Sequence, residues 1–255
     1  MQEYEKLNPG KAPVKSVVQI YFPAKNTKLA YFNDRFDLHV GDIVYVEGKL
    51  EGLRGQVVDV AHNFKIKVSE YKRVIGKADT AVTGTLHMAG SHFVAFAPEV
   101  IPYEKILTWY KAPDKEDDEY VTGSDDASFS LDDLSGMHIS SEIAERGHDY
   151  YLQNKVRYIC VDGSRGYAIV EGTKAYEVDF AYEDVKIRNL TCDCFCSYTC
   201  KHEFATMLQL RETLQAIKEN YPDQMNGYFA AISKAAFFNF AVDGKKTGSI
   251  SLENI

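Results

Sequence analysis

The sequence contains no apolar run that approaches the length of a membrane span, so we expect no transmembrane helix. Its N-terminal stretch, MQEYEKLNPG, is polar and lacks the apolar core of a signal peptide, which favours a cytoplasmic, reducing location. The signatures of serine hydrolases, protein kinases and dinucleotide-binding enzymes are absent, and the histidines show no His-x-x-Glu pairing. These absences favour a protein that has no catalytic activity of its own.

Cysteine is scarce, with five residues in 255, but four of the five lie within nine positions. They belong to the stretch CDCFCSYTCKH, in which four residues are good ligands for a soft divalent metal: Cys192, Cys194, Cys200 and His202. Zinc favours thiolate and imidazole ligands, and a structural site fills all four tetrahedral positions with protein groups. A disulfide is disfavoured, because a Cys-x-Cys pair leaves little room for its geometry. The pattern therefore predicts bound Zn²⁺ with a structural role.

This stretch resembles the SWIM zinc finger, whose pattern is Cys-x-Cys, a variable gap, Cys-x-His and then a helix. The segment Glu145–Val156 is similar to one that often precedes bacterial SWIM fingers, and the resemblance covers roughly residues 139–214. Two departures are present: the gap of five residues is short, and Phe195 stands where proline is common. Cys196, the next residue, could replace Cys194 as a ligand or be a spare thiol. We predict Cys194, because the pair that it forms with Cys192 matches the family.

The SWIM family occurs in helicase-like chromatin-remodelling ATPases, their bacterial relatives and Mutator-type transposases. The resemblance therefore implies DNA binding, or an accessory role beside a helicase-like ATPase. Four cations near the predicted zinc site could contact nucleic acid, or could be ordinary solvated surface: Lys186, Arg188, Lys201 and Arg211.

A protein–protein adaptor that makes no nucleic-acid contact is the alternative function. Residues 137–255 carry a net charge of −3, counting 13 Lys and Arg against 16 Asp and Glu. Three thiolates on one Zn²⁺ add further negative charge, which favours a protein partner over a phosphate backbone. Both functions stay open at the level of the sequence.

Charge also divides the chain, whose net charge is −8. Residues 1–111 have a net charge of +3, whereas residues 112–136 hold one basic and nine acidic residues. The acidic segment has few large apolar side chains, so we predict a flexible linker there; an acidic strip that mimics phosphate is the alternative. The predicted domains are thus a β-rich N-terminal domain at 1–111 and a SWIM-type zinc domain at 137–255.

The predicted fold class is α+β. In the first domain, alternating apolar residues between Gly- and Asn-rich turns predict antiparallel strands at Val14–Phe22, Asp42–Leu50, twice within Leu53–Tyr71, and in a hairpin from Thr80 to Ile101. The phrase HVGDIVYVEGKLEGLRGQVVDV resembles small barrels of the Src-homology or KOW kind, so we expect a small barrel-like sheet.

The second domain is predicted to begin with a helix that Ser140 or Ser141 caps. Short strands then follow at Val156–Asp162, Tyr167–Glu171, Ala175–Phe180 and Val185–Leu190. A helix of about twenty residues follows the metal ligands, and a second helix is predicted at Gln224–Phe240 from its apolar and aromatic residues.

Overall fold

The computed structural model describes residues 15–89, 92–97, 99–114, 121–124, 127–220, 228–242 and 250–253. Two sheets, of five and nine strands, form the framework of a mixed α/β fold, and their pairing is mostly antiparallel. The helices are few, and no helix in the described residues is long and apolar enough to cross a membrane.

The described residues divide between two compact units, and each unit contains one of the two sheets. The first unit takes its described residues from Met1–Ala81, Tyr103–Glu119 and Phe240–Thr247. The second takes them from Val82–Pro102, Tyr120–Asn239 and Gly248–Ile255. Both units are therefore built from discontinuous segments, whereas the domains predicted from the sequence are continuous.

The five-stranded sheet of the first unit has the strand order β2-β1-β4-β3-β5. Its strands are β1 (Ser16–Phe22), β2 (Thr27–Asn33), β3 (Ile43–Val46), β4 (Gly55–Ala61) and β5 (Val74–Lys77). In β1 every second side chain is buried, which gives one face to the core and explains why the alternation in the sequence predicted this strand.

This sheet is open, so the predicted barrel-like closure is wrong. Its edge strands meet at a single bridge, between Phe32 and Arg73, and no ladder joins them in the described part of the chain. The second strand predicted within Leu53–Tyr71 is also wrong. Residues 62–73 form irregular chain with a 3₁₀ turn at Val68–Glu70, and none of their side chains is buried. Phe64 and Ile66 are only partly buried there, so the segment lacks the fully buried face that fixes the register of a strand.

Helix α1 (Tyr103–Tyr110) completes the described core of the first unit. Trp109, the only tryptophan of the chain, is fully buried there, and its indole N–H donates to the Asp79 carbonyl at 2.6 Å. The same indole stacks on Phe240, with ring centroids 5.1 Å apart. Trp109 is therefore a packing residue of the first unit.

The nine-stranded sheet of the second unit has the order β14-β6-β7-β13-β9-β10-β11-β12-β8. Its strands are β6 (Gly84–Ala89), β7 (Phe93–Phe96), β8 (Ser128–Ser130), β9 (Val156–Asp162), β10 (Arg165–Glu171), β11 (Ala175–Glu183), β12 (Lys186–Cys192), β13 (Tyr228–Ser233) and β14 (Ile250–Glu253). The predicted hairpin of β6 and β7 is confirmed, although its turn at Gly90 and Ser91 lies outside the described residues.

The predicted helix at Gln224–Phe240 is wrong over most of its described length. Strand β13 occupies Tyr228–Ser233 and pairs with both β7 and β9, and only the short helix α4 (Lys234–Phe237) and a π turn follow it. Because β13 has neighbours on both sides, its residues from Phe229 to Ser233 are all buried. A continuous apolar run of this kind does not distinguish a central strand from a buried helix.

The prediction of a flexible linker is wrong for the last part of the acidic segment. Strand β8 pairs antiparallel with β12 from Ser128 to Ser130, and Leu131, which follows it, is buried in the core. A 3₁₀ turn at Leu134–Met137 then leads to helix α2 (Ser141–Leu152). Residues 115–120, 125 and 126 lie outside the described residues.

Helix α2 and helix α3 (Lys201–Asn220) pack together in the second unit. The Ser140 hydroxyl caps α2 by accepting from the Ile143 backbone N–H, as the sequence predicts. The main core cluster lies between α3 and strands β9 to β12, and it includes Met207 and Leu210 of the helix. This packing fixes the start of α3 against the end of β12, where the predicted metal ligands lie.

Candidate metal centre

The predicted ligands come from a strand end, a loop and the first turn of a helix. Cys192 is the last residue of β12 and lies opposite Val178 of β11. We call residues 193–200 the metal loop. Its first residue, Asp193, is tied to β11, because the Asp193 backbone N–H donates to the Glu177 carbonyl at 3.1 Å and the Asp193 carboxylate accepts from the Glu177 N–H at 2.9 Å.

The other end of the metal loop is fixed by the start of helix α3. Cys200 precedes the first helical residue, and its carbonyl accepts from the Phe204 N–H at 3.1 Å. The Glu203 carboxylate accepts from the Cys200 N–H at 2.6 Å, which is the Glu side of a capping box. Cys200 and His202 are 3% and 4% exposed, so both ligands are held in the interior of the unit.

One ligand atom from each predicted residue lies within 4.8 Å of all the others, and we call this set the ligand group: Cys192, Cys194, Cys200 and His202. His202 Nδ1 lies 3.7 Å from Cys192 Sγ and 3.6 Å from Cys200 Sγ. A tetrahedral zinc with Zn–S of about 2.3 Å and Zn–N of about 2.0–2.1 Å requires sulfur–nitrogen distances of about 3.6 Å. The geometry and the donor atoms of the ligand group therefore suit a metal ion such as zinc.

The structure places Cys194, and not Cys196, in the ligand group. Cys194 is partly buried, whereas the Cys196 side chain is exposed to solvent. The remaining cysteine, Cys160, is a buried core residue of strand β9.

The thiols of the ligand group influence each other strongly. The hydrogen bond with Cys200, followed by burial, raises the pKa of Cys192, while the same bond lowers the pKa of Cys200 to about 3. Burial raises the pKa of Cys194 to about 11. Burial and the neighbouring Cys200 thiolate raise the pKa of the Glu203 carboxyl to about 8. The concentration of thiols and a carboxyl in this buried site favours either the protonated form of these groups or a bound cation.

Two tyrosines orient the imidazole of the ligand group. The Tyr176 ring stacks on His202, with centroids 4.2 Å apart and planes inclined by 19°. The Tyr150 ring meets His202 edge-on at 5.5 Å, and the Lys201 ammonium lies 4.6 Å from the centre of that same ring. These contacts hold the imidazole with Nδ1 towards the sulfur atoms.

The cations predicted to contact nucleic acid are placed in different surroundings. Lys186 and Arg188 are both exposed on β12, on either side of the buried Ile187. Lys201 is partly buried and contacts Tyr150, and Arg211 is exposed about three turns further along α3. Of these four cations, Arg188 lines a cleft beside the metal loop.

A cleft of about 790 Å³ lies beside the metal loop in the second unit. Its lining includes Arg188, His138, Tyr198, Thr199 and the predicted ligand Cys192. On the metal loop, the Phe195 side chain is fully exposed and that of Tyr198 is 66% exposed. The metal loop therefore presents two aromatic rings to solvent next to a largely polar cleft.

Sequence reasoning missed three residues that build this site. Glu203 follows Cys200 at the spacing of a capping box, but a cysteine stands where that motif has Ser or Thr, so only the spacing pointed to Glu203. Tyr150 and Tyr176 reach His202 from α2 and β11, far away along the chain, and no local pattern could have identified them.

Comparisons with protein-family models, with curated proteins and with solved structures give no match. The SWIM resemblance therefore stays a prediction that rests on the residues from Cys192 to His202.

Proposed function

We propose that the chain is a structural zinc-binding module of the SWIM type that acts, without catalysis, as an accessory factor in nucleic-acid transactions. The observation that carries the metal part is the convergence of three cysteine sulfurs and one histidine nitrogen within 4.8 Å. Four protein ligands leave a tetrahedral zinc no open position for an activated water, so its role is structural.

The ion would tie together the three parts that supply the ligand group. Cys192 belongs to β12, Cys194 to the metal loop, and His202 to the first turn of α3. Phe195 and Tyr198 are exposed on a loop that has little apolar packing of its own, so a bound metal would hold these rings in place.

Nucleic acid is the proposed partner because aromatic rings and cations lie close together along the chain and around the cleft. Exposed aromatic side chains can stack on unpaired bases, and nearby cations can contact the phosphates. Tyr198 and Arg188 line the same cleft, and Lys186 is exposed two residues from Arg188. DNA engaged by a helicase-like ATPase is the setting that the SWIM resemblance implies.

A protein adaptor is the second candidate, and the charge of the ligand group favours it. Three thiolates and one divalent zinc leave a net charge of −1, and the nearby Lys201 already contacts Tyr150. A fully exposed Phe195 is equally suited to an apolar pocket on a protein.

The test is a binding titration of the full chain with labelled single-stranded and double-stranded DNA at two salt concentrations. Zinc content is measured first, and we expect one ion per chain. We then expect salt-sensitive DNA binding that a chelator abolishes and that Tyr198→Ala and Arg188→Gln each weaken about tenfold.

Lys28→Gln, an exposed substitution on β2 of the first unit, is the matched control and is expected to bind as the unaltered chain does. An absence of DNA binding at low salt by the zinc-loaded chain would reject the nucleic-acid role and favour the adaptor. An absence of bound metal would reject the proposal as a whole.

A further inference from the structure

Two buried polar atoms on helix α3 have no hydrogen-bond partner among the described residues, namely His202 Nε2 and Thr206 Oγ1. His202 is 4% exposed and Thr206 is fully buried, so solvent does not reach either atom freely. The two residues are four positions apart on one helix and therefore lie on the same face, one turn apart. Buried polar groups are almost always paired, so two such atoms so close along a helix require an explanation.

His202 supplies the hydrogen-bond donor of this pair. Its Nδ1 faces the sulfurs of Cys192 and Cys200, which leaves Nε2 on the opposite side of the ring from the ligand group. When Nδ1 is a metal ligand, Nε2 carries the proton and acts as a donor. Metal-bound histidines almost always donate this second N–H to an acceptor, which fixes the tautomer and the ring orientation.

Neither of the two tyrosines that contact the imidazole supplies that acceptor. Tyr176 stacks face to face on the ring, and its hydroxyl is engaged with the Thr173 hydroxyl at 2.8 Å. The ring of Tyr150 approaches edge-on at 5.5 Å, with its hydroxyl beside Gly172.

Thr206 supplies the hydrogen-bond acceptor. A threonine inside a helix commonly donates to the carbonyl four residues earlier, and Thr213 does so, with its hydroxyl 2.8 Å from the Gln209 carbonyl. Thr206 makes no such bond to the His202 carbonyl, and its hydroxyl accepts no hydrogen bond from the described residues, so its lone pairs are unused. It is a buried acceptor one turn from a buried donor.

We propose that Thr206 is a positioning residue of the metal centre, whose hydroxyl holds one buried water that accepts the His202 Nε2–H. The inference rests on the proposed metal function, because Nε2 becomes an obligatory donor only when Nδ1 binds the ion. Thr206 thereby holds the neutral imidazole in the tautomer that zinc requires.

Thr206→Val tests this role, because valine has nearly the same shape and lacks the hydroxyl. We expect the variant to lose about 10–100-fold in zinc affinity, the range found for partners of metal ligands. We expect the metal-free protein to unfold at the same or a higher temperature, because the substitution removes an unpaired buried hydroxyl. A merely structural threonine would not give changes of opposite sign in affinity and stability.

Two further variants serve as controls in the same competition with a chromophoric chelator. Thr206→Ser keeps the hydroxyl and is expected to bind zinc within about threefold of the unaltered chain. Thr213→Val removes a hydroxyl from the same helix, far from the ligand group, and is expected to leave zinc affinity unchanged.

Nuclear magnetic resonance of the zinc-loaded, unaltered chain gives a second readout that does not depend on any variant folding. We expect the His202 Nε2–H proton to resonate downfield, at a shift typical of a hydrogen-bonded imidazole. A shift typical of an unbonded imidazole, or a Thr206→Val variant that binds zinc as tightly as the unaltered chain, would overturn the proposal. If the unaltered chain bound no zinc at all, both the proposed function and the proposed role of Thr206 would be rejected.

Discussion

The five cysteines lie in different environments, and these environments decide which thiols can reach a metal. Three belong to the ligand group, Cys160 is buried in β9, and Cys196 is exposed on the metal loop. Cys194 and Cys196 are two positions apart on the same loop, so the sequence alone leaves either of them available. Only the folded path of the loop directs one towards His202 and the other towards solvent.

We therefore predict opposite outcomes for serine at these two positions. Cys194→Ser replaces a thiolate ligand by a weaker hydroxyl donor and should lower zinc affinity by at least about tenfold. Cys196→Ser should retain one zinc per chain with unchanged affinity. Both quantities are measured by metal analysis after dialysis against a weak chelator. A Cys196→Ser variant that lost zinc, beside a Cys194→Ser variant that kept it, would show that our choice of ligand is wrong.

At the scale of elements, the site depends on how closely helices α2 and α3 approach each other. Gly147 of α2 faces the first turn of α3, where an added Cβ would lie 2.8 Å from Phe204 Cδ1 and 3.0 Å from the Lys201 carbonyl oxygen. The carbonyl belongs to the helix backbone and cannot move without displacing the residue next to it, the ligand His202.

We predict that Gly147→Ala destabilises the fold although alanine is the better helix former. The gain in helix propensity is about 1 kcal/mol, whereas forcing extra atoms into a packed contact costs about 1–3 kcal/mol. The expected net loss in the free energy of unfolding is about 1 kcal/mol, measured by denaturant titration. Glu145→Ala, at an exposed position of the same helix, is the control and should change stability by less than about 0.5 kcal/mol. Equal stabilities of the two variants would mean that the close approach at Gly147 is not required.

Whether the sequence predicts an element depends on whether that element forms from local signals or from pairing with strands that are distant along the chain. Helices α2 and α3 and strands β1 and β9 to β12 follow local signals, such as the cap at Ser140 and the alternation in β1. Strand β13 does not, because its apolar run fits a helix equally well and only pairing with β7 and β9 decides the outcome. Strand β8 is three residues long with a single apolar residue, Phe129, and its pairing with the edge of β12 is a contact that no local pattern predicts. The ligand group was predictable for the converse reason, since its four residues lie within eleven positions of one another.

At the scale of the whole molecule, only the second unit contains the ligand group, so metal binding should stabilise the two units unequally. The strands that hold the metal loop belong to the nine-stranded sheet, and the five-stranded sheet contributes no ligand. A ligand that binds only the folded state adds about 2.7 kcal/mol of stability at a free concentration of 100 times its Kd. That gain is confined to segments whose opening releases the ion.

Zinc removal is therefore predicted to loosen the chain locally before it unfolds the chain globally. Hydrogen exchange of the full chain, measured with and without a chelator, should become faster by at least about tenfold at the end of β12 and the first turns of α3. Exchange in β1 and β4 should stay the same, so the first unit provides an internal reference. Lowering the pH should reproduce the effect of the chelator, because protons compete with the metal for the thiolates. In Cys200→Ser, which lacks a ligand, the chelator should have no further effect. Faster exchange spread evenly over both sheets would show that the ion stabilises the whole molecule rather than the metal loop and its two neighbours.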